Sequence, residues 1–435
     1  MRLIRLLKND LARESAEWVD ENIISTAQAE QISQRYGVDY HQAQSRSLGY
    51  MVLVGLAYLF IGLAVITLLG HNWDEIPRAL RMGGLIIITL IVQALALRKQ
   101  LAGQEGGATA LFLLGNMLYG ASIILIAQIY HLGEHMPDGI YWWALGSLPF
   151  ALLLKNPWLM LQSLLLAVIW FMVESSMGFY PLTFPLFIIA ALYVLRNGRQ
   201  SMLLFLLSVV SIIGWFEYSM AELWREPGRY DFSVEHIALG AALFIFAHSV
   251  SQWLAHLPSP TARDYGALLS VWCLRFALVF MLVMSFELPW EGLLTAQWRH
   301  SEQMIALLLP LLGGALFLAY RNGRLQPTIT FVGYFLLILT FVMVSEAKDD
   351  AVTLQVVDNI ALVAAGGWLI IRGIHHGISH YFFLGVATIL ITALLRYIDL
   401  IGNYLGAAAL FIVFALLLLG AARYWKMLHN REEAK

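Results

Sequence analysis

From Leu48 to Tyr424 the chain is a succession of apolar stretches of 15 or more residues, separated by little beyond short polar turns. A helix needs about 20 mostly apolar residues to cross roughly 30 Å of hydrocarbon, and this pattern supplies that length about fourteen times. The expected fold class is therefore all-α, a polytopic transmembrane helical bundle. Only 13% of residues are charged and 60% are hydrophobic, which excludes a water-soluble fold; an ordinary soluble domain carries roughly 25% charged residues.

Spans are expected near 48–70, 80–97, 108–130, 140–154, 157–173, 180–195, 201–219, 235–256, 266–287, 304–320, 327–345, 354–371, 379–397 and 403–422. The fourth is short and contains Gly146 and Pro149. If it forms one re-entrant hairpin with the fifth, twelve spans remain. Pro181 and Pro185 interrupt the sixth, and short or Pro-broken spans are a pointer to transporter sites.

Ahead of the membrane domain (48–424), residues 1–47 form a polar leader that reads as two short helices, with a tail at 425–435. Leu3, Leu7, Leu11 and Trp18 lie near one face of the first helix. Ser25-Thr26-Ala27-Gln28 has the Ser-x-x-Gln form of a capping box and opens the second. Too small to bury a core, the pair is expected to pack on the membrane domain, on the headgroups or on a cytoplasmic partner. The first apolar run begins only at Leu48, so the first span is expected to direct insertion without a cleavable signal.

Of the 27 Lys and Arg residues, 19 fall on the face that carries both termini and 7 on the other, with Arg275 inside a helix. Cytoplasmic loops carry the basic excess, so both termini are expected in the cytoplasm. Acids reverse the bias, with 18 of 29 on the outer face, and Glu174, Glu217 and Glu287 stand near the outer ends of odd-numbered spans. These three are a candidate vestibule that would concentrate cations. The competing reading is simple exclusion of positive charge from outer loops.

Net charge of −2 and the lack of a basic run exclude a nucleic-acid partner. Cys273 lies in an apolar segment and reads as a packing residue. His131-Leu132-Gly133-Glu134-His135 has the His-x-x-Glu-His spacing of a zinc site. Its internal glycine and the following Pro137 favour an interfacial turn instead, and the same discount applies to His375, His376 and His380. No metal, cofactor or catalytic residue is expected, and no Gly-rich phosphate loop is present. Arg275, at a depth similar to that of His248 and Gln252 on the preceding helix, makes a candidate embedded polar site. The alternative is an arginine that snorkels to the interface. Asn116, Gln128 and Gln162 read as groups that bridge helices.

Two stretches carry a resemblance: Trp18…Ile23-Ile24-Ser25-Thr26-Ala27-Gln28…Ile32…Tyr36, and His71-Asn72-Trp73-Asp74-Glu75-Ile76-Pro77-Arg78. Over roughly the first 100 residues the chain resembles the bacterial predicted membrane proteins grouped as domain of unknown function 2157. Where that family often has Gly before the Ile-Ser pair, Asn22 stands here, a residue that tolerates a left-handed turn. The resemblance implies a membrane architecture and a bacterial source, and brings no functional residues with it. Trp73 reads as an interface anchor and Pro77 as a residue of the next helix's first turn.

The leading functional expectation is a bacterial inner-membrane protein that transports or flips a small or amphiphilic solute. A membrane-embedded assembly or regulatory scaffold is the alternative, and a lipid-modifying or glycosyl-transferring enzyme the second.

Overall fold

A computed structural model describes residues 8–35, 77–130, 137–224, 233–345 and 350–399, together with His135 and isolated positions at 53, 56, 57, 60, 61, 67 and 412. Among the described residues the regular structure is all helix, with no strand. They fall into two compact units, Leu3–Asp231 and Phe232–Lys435.

The first unit opens with α1 (Lys8–Asp20) and α2 (Thr26–Arg35), which pack on each other. Asn22 adopts the left-handed conformation at φ 59°, and the Ile23 N–H returns 2.8 Å to the Trp18 carbonyl, ending α1. The Ser25 N–H donates to Gln28 Oε1 (2.9 Å) while the Gln28 N–H donates to Ser25 Oγ (3.4 Å), closing the expected capping box.

Its apolar helices are α3 (Arg78–Leu101), α4 (Glu105–Tyr130), α5 (Pro137–Leu153), α6 (Pro157–Ser176), α7 (Phe184–Asn197) and α8 (Met202–Leu223). Pro77 is the residue before α3 rather than part of its first turn. The α5–α6 turn is set by Lys155 at φ 47° and by Asn156, whose Oδ1 accepts from the Trp158 and Leu159 N–H groups. Pro157 then fills the first helical position, where a missing N–H costs nothing. Pro185 sits in the first turn of α7, so the two prolines precede or open that helix instead of breaking it.

Phe112, Leu159, Met160, Leu164, Phe184 and Phe187 form the fully buried centre of this unit. Two glycines let rings lie flat against helix backbone there. A Cβ on Gly120 would fall 2.0 Å from the Trp143 indole, and one on Gly146 2.2 Å from the Tyr119 ring.

The second unit comprises α9 (Glu235–His256), α10 (Pro260–Met284), α11 (Glu287–Leu294), α12 (Ser301–Arg321), α13 (Leu325–Val344), α14 (Asp350–His376) and α15 (Ser379–Asp399). α14 and α15 pair with their backbones almost touching, since a Cβ on Gly385 would meet the Gly366 carbonyl at 2.5 Å. Small residues at membrane helix crossings permit this approach. The eight-residue α11 lies where the sequence reading expects loop, and its start is marked by Glu287 and Pro289 in the first turn.

Ten described helices are long and apolar enough to cross a membrane: α3, α4, α6, α8, α9, α10, α12, α13, α14 and α15. α5, with 17 residues, and α7, with 14, are shorter. The expected spans at 48–70 and 403–422 lie outside the described residues, apart from the isolated positions, and the tail 425–435 wholly so. The expected fourteen thus stand as ten helices of full length and two short ones among the described residues. Large apolar side chains such as Leu90, Leu309, Phe317 and Leu337 are exposed along these helices, a surface that suits a lipid bilayer.

A buried carboxylate beside an apolar cleft

Asp358 is a buried carboxylate of the second unit. One face of α14 carries Ala351, Leu354, Asp358, Leu362 and Leu369, at helical spacings of three, four, four and seven, and each is 3% exposed or less. A carboxylate therefore occupies the centre of an otherwise apolar stripe. It lies eight residues into α14, about 12 Å along the axis by the 1.5 Å rise. The Tyr334 hydroxyl on α13 stands 3.5 Å from Asp358 Oδ1, at the long limit of a hydrogen bond. Asp358 Oδ2 is buried with no hydrogen-bond partner.

The neighbouring turn of α14 is polar as well. Gln355 Nε2 and Asn359 Nδ2 both donate to the Ser285 carbonyl, each at 3.1 Å, while Asn359 Oδ1 is buried without a donor. Ser285 follows α10, whose last carbonyl groups have no partner further along the helix. On α15 the Arg396 guanidinium lies over the Phe286 ring at 5.0 Å. Between α9, α10, α11 and α13 an apolar cleft of about 80 Å³ opens beside this region, with Met284 and Ile338 among its walls. Ile338 is one turn along α13 from Tyr334.

Glu235 is a second buried carboxylate of this unit, and its Oε2 likewise has no hydrogen-bond partner. Its side chain is fully buried at the start of α9, and Oε1 accepts the His300 N–H at 2.8 Å, just before α12. Negative charge there meets the positive ends of two helices, which favours it.

The residues singled out from sequence have separate neighbours. Gln252 Nε2 reaches Ser270 Oγ at 3.4 Å, the His248 ring meets the Phe331 edge at 6.1 Å, and the Arg275 guanidinium lies 5.3 Å over Trp272 at an exposed position of α10. Among the described residues no hydrogen bond joins Arg275 to His248 or Gln252.

Glu174 and Glu217 belong to the first unit and Glu287 to the second. Glu174 Oε2 is 2.9 Å from His135 Nε2, and its side chain is 13% exposed. Glu217 is half-buried and lies six residues before the end of α8. Glu287 is exposed and opens α11, so it meets the favourable end of a helix dipole rather than closing an outward helix.

His131 and Glu134 lie outside the described residues, as do Asn72, Trp73, Asp74 and Ile76. Arg78 is the first residue of α3 and is exposed. No group of three or more His, Cys, Asp or Glu side chains is placed to hold a metal ion among the described residues.

Two of the expected bridging amides do bridge. Gln93 Nε2 donates to Asn116 Oδ1 (3.1 Å), Asn116 Nδ2 to Gln162 Oε1 (3.0 Å) and Gln162 Nε2 to the Leu113 carbonyl (3.2 Å), tying α3, α4 and α6 together. Trp143 Nε1 adds α5 by donating to the Asn116 carbonyl at 2.7 Å. Gln128 is exposed instead.

Sequence reasoning passed over Asp358, although a signal existed: a carboxylate at helical spacing from Ala351, Leu354 and Leu362 inside an apolar run. No curated protein and no solved structure matches the chain. Residues 16–160, which carry the capping box, the Asn-Trp-Asp segment and the amide network up to Asn116, match the model of the predicted membrane protein family DUF2157.

Proposed function

We propose that this membrane protein transports or flips a small amphiphilic solute, and that Asp358 is the group at the centre of that activity. The observation that carries the reading is the burial of an incompletely paired carboxylate two turns inside an apolar helix. Placing such a charge in a membrane helix costs about 2.5 to 3.5 kcal/mol on insertion scales, and a scaffold has no use for it. An apolar cleft next to polar atoms on α14 suits a solute with both kinds of surface. The first unit, with its interhelical amide network and aromatic core, is read as the support. In cells that depend on the protein, Asp358→Asn should reproduce the lipid and metabolite changes caused by loss of the whole chain. A profile equal to wild type at equal protein abundance removes Asp358 from the mechanism.

The proposed setting is a bacterial inner membrane with both termini in the cytoplasm, on the strength of the 19-to-7 basic asymmetry. In a Cys273→Ser background, single cysteines at Asn197 and Asn322 should be shielded from an impermeant thiol reagent in intact cells, and one at Pro227 should label. The opposite pattern reverses the orientation.

A further inference from the structure

The cleft of the second unit has no polar function that its lining could serve. Its walls come from α9, α10, α11, α13 and the connection after α11, and include Ala238, Ala241, Phe280, Trp290, Trp298 and Phe335. The one polar atom of Trp290 is turned away from this task, since its Nε1 donates to the Met284 carbonyl. Water needs two to four polar partners to settle in a cavity, and this lining offers apolar and aromatic surface instead.

Its position narrows the occupant. α9, α10 and α13 are each long and apolar enough to span a membrane, so the medium around them is hydrocarbon. The cleft lies at one end of these spans, where α9 begins, α10 ends and α13 ends. Trp290 and Trp298 sit at that level, the depth at which Trp concentrates in membrane proteins. Just inside that level pass the upper methylenes of lipid chains. Ala238 and Ala241, three residues apart on α9, keep the space open on one side.

We infer that this cleft is a binding site for the hydrocarbon chain of a lipid or lipid-like amphiphile. The inference deepens the transport reading by naming the substrate class and rests on that reading for the word substrate; occupancy of the cleft does not require that anything be moved.

The test uses the full chain in bilayer discs containing a phospholipid with a diazirine in its acyl chain, photolysed and mapped by peptide sequencing. Labelling of the stretches around Ile237–Ala241 and Phe335–Val342 should saturate and be displaced by excess unlabelled phospholipid. Labelling around the exposed Leu309 on α12 should rise linearly with probe, as annular lipid does. Ala241→Phe should lower cleft labelling at least fivefold and leave the Leu309 signal unchanged. Should that variant fail to fold, Ala241→Val should lower it about twofold. Cleft labelling that is non-saturable and insensitive to Ala241 substitution overturns the site, as does no labelling of the cleft while the Leu309 stretch is labelled. Saturable labelling in a protein that moves no lipid would instead leave the site standing and defeat the transport reading.

Discussion

Gly120→Ala is expected to destabilise the first unit by roughly 2 to 4 kcal/mol. The new Cβ would lie 2.0 Å from two atoms of the Trp143 indole, far inside contact distance. Neither partner yields easily, because the indole is held by its hydrogen bond to the Asn116 carbonyl at 2.7 Å and the glycine belongs to the middle of α4. Overpacking costs about 1 to 3 kcal/mol, and displacing the ring adds the roughly 1 kcal/mol of a broken hydrogen bond. Gly214→Ala in α8 is the control. Nothing lies within 4 Å of its added Cβ, so relief of glycine's backbone entropy should stabilise by about 0.5 to 1 kcal/mol. Thermal unfolding in detergent should therefore move in opposite directions for the two variants.

Asp358→Asn is expected to stabilise the second unit and abolish function together. The side chain is 3% exposed, and Oδ2 lacks a partner, so the wild-type carboxyl is a burden on folding. Asn keeps the shape and can accept from the Tyr334 hydroxyl in place of Oδ1. Removing the ionisable group should recover about 1 to 3 kcal/mol of the insertion cost. A gain in stability with loss of activity is the signature of a group kept for function. Loss of both would mark Asp358 as structural, and loss of neither would mean that it serves no purpose at this site.

Why Asp358 was hard to see in the sequence is instructive. The hydropathy pattern places a helix at 354–371, which leaves Asp358 within about one turn of the helix end and in reach of water. The helix in fact begins at Asp350, whose carboxylate accepts from the Ser345 hydroxyl, and this start carries Asp358 two turns inward. Depth depends on where a helix starts, and polar starts are invisible to an apolar window. At α9 the expected bounds 235–256 match the helix residue for residue, although it opens on the polar pair Glu235 and His236. Local chemistry was equally legible at Asn22 and at the Ser25–Gln28 box, because both act within a few residues. The Gly120–Trp143 contact, the Gln93 link and the cleft arise between helices distant in sequence, and no spacing rule announces them.

Sealed vesicles reconstituted with the purified chain, carrying a phospholipid labelled on its acyl chain with a dithionite-quenchable fluorophore, test the central claim most directly. Wild-type protein should expose inner-leaflet lipid to the quencher faster than protein-free vesicles do, and Asp358→Asn at equal incorporation should return to the protein-free rate. Equal acceleration by wild type and Asp358→Asn, or none by either, contradicts a flipping activity centred on Asp358.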